Sequence, residues 1–176
     1  MARITTYETN SATAEVKDIF AEIEGTFGRV PNLFKTYANH VPLLRANWNK
    51  VKAVMGEGAL DQKTKQTIAV LVSRDNGCAY CVAAHTGALR AIGVTDDEIK
   101  VIEENLAQAN FRAKELALIS FARKANTSPL RISDEEFSAV KQAGASDAEI
   151  IEALGVMELF TSFNKFLDAL QVEIDF

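Results

Sequence analysis

Apolar residues recur at helical spacing almost from the start of this chain. Val16, Ile19, Phe20 and Ile23 keep the i, i+3, i+4, i+7 rhythm of a helix with one buried stripe, and Gly28 is placed to end it. Pro31 restarts the chain at Val30-Pro31-Asn32-Leu33-Phe34, and Leu44, Trp48, Val51 and Met55 form the next stripe. Asp61 is a good N-cap for a helix reaching about residue 74. Asn76-Gly77 breaks that helix, and another is expected over about residues 78–91. Three later helices announce themselves with capping boxes, a Ser or Thr followed three residues on by Glu: Thr95/Glu98, Ser133/Glu136 and Ser146/Glu149. An apolar-rich helix around residues 111–124 lies between the first two. Sustained period-2 alternation is missing, as is any Asn-Gly hairpin between β-branched runs, so the pattern predicts an all-α chain.

The last helix, about residues 146–170, carries Leu154, Val156, Met157, Leu159, Phe160, Phe163 and Phe166 around too much of its circumference for a single stripe. Such a helix is either central to the core or part of an interface between copies. An internal echo adds to the picture. Gly93-Val94-Thr95-Asp96-Asp97-Glu98-Ile99 and Gly144-Ala145-Ser146-Asp147-Ala148-Glu149-Ile150 share a pattern at an offset of 51 residues. The same offset places Lys63 over Lys114 and Leu89 over Val140. Either a helix pair is duplicated, or glycine followed by a capping box is simply a common helix–turn–helix joint. In the second copy Cys78, Cys81 and His85 correspond to Pro129, Ile132 and Glu136.

At 176 residues, with 48% hydrophobic and 24% charged positions, the chain is long enough to bury one core and is expected to form a single domain over 1–176. A net charge of −5 and scattered Lys and Arg exclude a nucleic-acid surface. No apolar run approaches the ~20 residues that span a bilayer, and Met1 to Thr6 carry no apolar leader, so a cytoplasmic location is expected. In a reducing compartment a Cys pair points to catalysis, redox sensing or metal binding rather than to a permanent staple.

The chemistry converges on Asn76-Gly77-Cys78-Ala79-Tyr80-Cys81-Val82-Ala83-Ala84-His85. On a helix Cys78 and Cys81 share a face and can meet at disulfide distance, and His85 lies one turn beyond Cys81. The helix start favours a thiolate at Cys78; the imidazole favours one at Cys81. Cys81 is preferred as nucleophile because a base one turn away can also return a proton to a leaving oxygen, with Cys78 as the resolving thiol. Half of a zinc site is the competing reading of a Cys-x-x-Cys. It would need His40 or a carboxylate to complete it, so no metal is expected.

With these residues in place the chain resembles the alkylhydroperoxidase D and carboxymuconolactone decarboxylase superfamily, most of all its peroxidase-related branch. The Val30-Pro31-Asn32 entry, the Ala143-Gly144 turn and the helix bearing Asn164 support the resemblance. It implies an AhpD-like helical bundle with the redox helix pair at about 61–92, usually a trimer or hexamer. It also implies reduction of hydroperoxides, with Cys81 forming the sulfenic acid, Cys78 as its partner and proton donor, and His85 relaying protons. No bound cofactor is implied; a dithiol, lipoyl or thioredoxin-like, would be the external reductant. The family usually places a Glu twelve residues before the first Cys, where this chain has Gln66. A neutral amide cannot accept a proton near neutral pH, so either another carboxylate, Glu158 being a candidate, takes its place, or turnover is slow. The alternatives to a peroxidase are an electron-carrying adaptor and a non-enzymatic redox sensor. The decarboxylase branch lacks the Cys pair.

Overall fold

Most of the described helices begin where a side chain satisfies one of their first free N–H groups. The computed structural model describes residues 2–7 and 12–176; Met1, part of the stretch read for a leader, lies outside them. Among the described residues it has nine α-helices: α1 (Ala14–Phe27), α2 (Asn32–Tyr37), α3 (Val41–Met55), α4 (Gln62–Asp75), α5 (Ala79–Ala91), α6 (Asp96–Glu104), α7 (Ala113–Thr127), α8 (Asp134–Gln142) and α9 (Asp147–Leu170). Asp61 accepts from the Thr64 N–H at 2.7 Å, and all three expected capping boxes form. His40 is occupied as the N-cap of α3, its Nδ1 accepting from the Leu43 N–H at 3.3 Å. None of the helices is long and apolar enough to cross a membrane.

Two boundaries differ from the sequence reading. Phe111 lies outside α7, which starts two residues later because Glu115 reaches back to the Arg112 N–H at 2.9 Å. An Arg at the cap position gives no Ser/Thr signal. Cys78 is itself the N-cap of α5, in extended geometry, rather than a residue of its first turn.

A single core runs through the bundle, with α4 packed by α5, α7 and α9. Residues 67–73 of α4 are all buried, and on α9 Val156, Leu159, Phe160, Phe163 and Leu167 are too. The last helix is therefore central, which explains its wide apolar surface.

The 51-residue offset also relates features of the structure. Shifted by 51, α4 would begin at 113, where α7 begins, and α6 would begin at 147, where α9 begins. Gly93 and Gly144 adopt the same left-handed turn, with φ of 88° and 93°, a conformation costly for residues bearing a Cβ. Even an ion pair repeats: Lys63–Glu98 at 3.6 Å and Lys114–Glu149 at 2.5 Å. Only the Cys-bearing segment has no helical twin, because residues 129–131 form a short 3₁₀ turn and α8 starts late.

A fully buried ammonium lies inside the bundle. Lys65 is fully buried; its ammonium pairs with Glu152 at 2.5 Å and donates to the carbonyls of Val54 at 3.0 Å and Gly56 at 2.7 Å, which end α3. Glu152 also accepts from the N–H groups of Ala59 at 2.5 Å and Leu60 at 2.8 Å. Burial raises its pKa, but the Lys65 ammonium and these N–H groups outweigh that and hold the carboxyl below the usual range. Lys65→Met strands the carboxylate and two carbonyls together, so it should destabilise the fold by about 3–5 kcal/mol. Urea unfolding measures this, and Lys65→Met combined with Glu152→Gln should recover part of the loss. A Lys65→Met midpoint equal to wild type would refute the structural role.

Candidate functional site

The α4–α5 connection creates the site. Gly77 takes a φ of 79°, which lets the chain reverse within two residues, and the Cys78 N–H donates to the Ser73 carbonyl at 2.9 Å. Cys78 is thereby fixed at the start of α5 with no exposed surface, and Cys81, one turn on, is 3% exposed. Both are free thiols.

The two sulfurs interact, so they titrate as a pair. The Cys81 thiol donates toward Cys78, the main reason Cys78 sits below the ordinary thiol range. Cys81 is pushed up by that same partner and by burial. The proton that remains after the first ionisation therefore sits on Cys81, and the charge is held on Cys78 at the helix start. Asn164 and Ser73 face Cys81 and favour its charged form.

Those two residues belong to a polar cluster that the sequence reading did not assemble. Asn164, 1% exposed, donates to Ser73 Oγ at 3.0 Å and accepts from Asn76 at 2.9 Å. Asn76 in turn accepts from Asn126 at 2.9 Å, whose side-chain oxygen accepts from Thr161 at 2.7 Å. The cluster ties the turn to α7 and α9. In the sequence Asn164 belongs to the family pattern, and Asn76 breaks a helix at the head of the Cys motif; nothing in their spacing predicts their contact.

On the other side of Cys81 lies a cavity of about 440 Å³. Its wall is mostly aromatic and aliphatic, including Phe27, Phe34, Phe160 and Phe163. Cys81, His85, Gln66 and Arg29 are among its few polar groups, and Cys78 is not part of it. His85 and Gln66, from α5 and α4, meet with Nδ1 2.7 Å from Oε1. An amide oxygen only accepts, so Nδ1 carries the proton and Nε2 keeps its lone pair. The ring stands edge-on to Phe160 at 4.2 Å, and burial pushes the imidazole down to about 4. It is therefore neutral at physiological pH.

Glu158 does not supply the missing carboxylate. Its side chain is 70% exposed and pairs with Lys50 at 3.1 Å, away from the imidazole that Gln66 contacts. The structure thus brings together Cys81, His85 and Gln66 on one wall, with Cys78 directly behind.

The model of the carboxymuconolactone decarboxylase family matches residues 42–124. An alkyl hydroperoxide reductase of Mycobacterium tuberculosis is 30% identical over 91 residues, 52% of this chain but only 26% of that protein's length. A peroxidase-related protein from Ralstonia eutropha JMP134 superposes with a TM-score of 0.88 at 23% identity, over 99% of this chain and 92% of its own. The debrominase Bmp8, solved with 2,3,4-tribromopyrrole, superposes at 0.85 with 20% identity, over 99% and 94%. These two likenesses establish the fold. The alkylhydroperoxidase AhpD core from Rhodospirillum rubrum is 35% identical, over 78% of this chain and 98% of its own, with a TM-score of 0.56. With that relative covered almost end to end and the family model lying across the redox helix pair, the chain belongs to the alkylhydroperoxidase D-like, carboxymuconolactone decarboxylase superfamily.

Proposed function

We propose that the chain is a thiol-dependent peroxidase that reduces hydroperoxides through Cys81 and Cys78. The observation that carries this reading is the placement of Cys81, His85 and Gln66 on one wall of an apolar cavity, with Cys78 buried behind Cys81. A hydroperoxide in the cavity meets Cys81 and cannot reach Cys78. The Cys81 sulfur attacks the terminal oxygen and the O–O bond breaks. The thiol proton passes to the departing alkoxide, directly or by way of His85 Nε2, giving ROH and a sulfenic acid on Cys81. The Cys78 thiolate then attacks the Cys81 sulfur; the S–O bond breaks, and the hydroxide takes a proton and leaves as water. An external dithiol returns the disulfide to two thiols. Because the lower-pKa sulfur is the better leaving group, the reductant attacks at Cys81 and expels Cys78.

Self-association as a trimer or hexamer is part of the proposal. Phe27 and Ile92, exposed by 47% and 46%, give it apolar surface near the open side of α5. An electron-carrying adaptor is the second reading, favoured by the amide at position 66, which leaves the imidazole without a carboxylate. It stands second because an adaptor must present a sulfur to a partner protein, and these sulfurs are buried.

The first test is redox. One equivalent of cumene hydroperoxide should convert both thiols to an internal disulfide that dithiothreitol reverses, read by mass spectrometry after alkylation. Cys78→Ser should hold a sulfenic acid at Cys81, and Cys81→Ser should lose peroxide reactivity. Probe labelling of Cys78 in Cys81→Ser at the wild-type rate would reverse the assignment.

The second test concerns proton transfer. With the imidazole near 4, the proton-accepting form persists far below the usual histidine range, so the acid limb of peroxide consumption should lie near pH 4 rather than 6.5. Gln66→Glu puts a negative charge beside Nδ1–H, which stabilises the imidazolium, moves the acid limb toward neutral and strengthens the base. The rate should rise toward the ~10²–10⁴-fold that a positioned base contributes. Profiles from pH 4 to 9, with thermal melts of both proteins, decide it. An equally stable Gln66→Glu protein with an unchanged profile would mean that His85 takes no part.

A further inference from the structure

After α9 the chain does not leave the bundle; residues 172–176 turn back toward the redox helix. Asp175 anchors them. One carboxylate oxygen accepts from the Tyr80 hydroxyl at 2.8 Å, and the other accepts from the Asn32 N–H at 3.0 Å. Its carbonyl accepts from the Arg29 guanidinium, and the Asn32 side chain donates to the Glu173 carbonyl at 3.1 Å. Tyr80 is one of the two residues between the cysteines, next to Cys81, and its hydroxyl also accepts from the Leu33 N–H at 3.3 Å. Phe176 packs edge-on against the Tyr80 ring, 4.9 Å away, with the Arg29 guanidinium 4.6 Å from its own ring centre. Phe176 lines the cavity and is still 52% exposed, so it stands at the rim, between solvent and the chamber that holds Cys81.

We propose that residues 172–176 form a strap that decides which molecules reach Cys81, with Phe176 as the selecting wall of the mouth and the Asp175–Tyr80 bond as its clasp. A slender apolar hydroperoxide passes beside the Phe176 ring. A branched or bulky one, or the tip of a large protein thiol, requires the clasp to open first. Its anchors are hydrogen bonds at a partly exposed carboxylate, of the modest strength that local opening can overcome, so the strap retards entry without sealing the site. The same sieve restricts the reductant to a slender dithiol. The selectivity for substrate rests on the peroxidase reading; the geometry of access does not.

The test therefore uses reagents that need no turnover. The reduced protein is labelled with iodoacetamide and with pyrene-maleimide, and the rate at Cys81 is read by peptide mass spectrometry against free cysteine. Wild type should discriminate strongly against the bulky reagent. Phe176→Ala should relieve that discrimination by about tenfold, a barrier change of the order of one hydrogen bond, and leave the iodoacetamide rate within about twofold. Asp175→Asn and Tyr80→Phe, which keep the wall and weaken the clasp, should move the same way by a smaller factor. Circular-dichroism melts check that each variant folds. Unchanged discrimination in folded Phe176→Ala overturns the strap, and relief there but in neither clasp variant overturns the clasp. Relieved discrimination in a protein that consumes no peroxide leaves the strap standing and removes the peroxidase reading instead.

Discussion

The hydrogen bond from the Cys78 N–H to the Ser73 carbonyl fixes two helices at one point, and the site follows from that point. It closes a reversal that only a left-handed residue can make, here Gly77. Once α4 and α5 are locked together there, Gln66 and His85, each seven residues from the bond and so about two turns back on one helix and two along the other, come within 2.7 Å. The same reversal seats Cys78 at a helix start, where its charge is favoured, and leaves Cys81 one turn further on, against the cavity. A different turn would move both pairs at once.

This arrangement divides the work between two chemically identical side chains. Cys78 is the better anion and has no access to the cavity; Cys81 is the poorer anion and forms part of the wall. Neither environment alone gives a useful thiol. Together they keep a negative charge and a proton within one hydrogen bond of each other, so the cavity-facing sulfur, itself buried, can give its proton to the hidden one or to a neighbouring base. Here the neutral imidazole fits. Held by an amide instead of a carboxylate, it stays uncharged in its apolar surroundings and does not compete for the thiolate as an ion-pair partner. Fold alone does not select this chemistry, since a debrominase shares it.

Much of this was readable from local sequence wherever a single turn of helix carries the signal. Thr95/Glu98, Ser133/Glu136 and Ser146/Glu149 place three helix starts because both halves of each cap are in the sequence. The Cys-x-x-Cys-x-x-x-His spacing likewise puts its members on one helix. What could not be read depends on partners far along the chain. Lys65 sits in a polar run, Gln62-Lys63-Thr64-Lys65-Gln66-Thr67, with no hint that it will be buried or that Glu152, 87 residues later, will neutralise it. Asn164 meets Ser73 across 91 residues, and Asp175 meets Tyr80 across 95. Glu158, chosen because it lies on an apolar helix, points to the surface: one side of even a central helix is open to solvent, and Lys50 draws the carboxylate there.

The two segments related by the 51-residue offset differ where the thiols sit. Both copies keep the Gly–capping-box joint and the Lys–Glu ion pair, which are features of assembly. They differ at the turn before the second helix. The first copy has Gly77, free to take positive φ; at the matching place the second has Ser128 at φ −152°, followed by Pro129. Proline has no N–H to donate back to the first helix, so the bond made by Cys78 has no counterpart, and the chain continues as a 3₁₀ turn until Ser133 can cap α8. A cysteine at Pro129 or Ile132 would therefore lack both the helix start and the helical spacing of the first pair. The turn that seats Cys78 is present in the first segment and has no counterpart in the second.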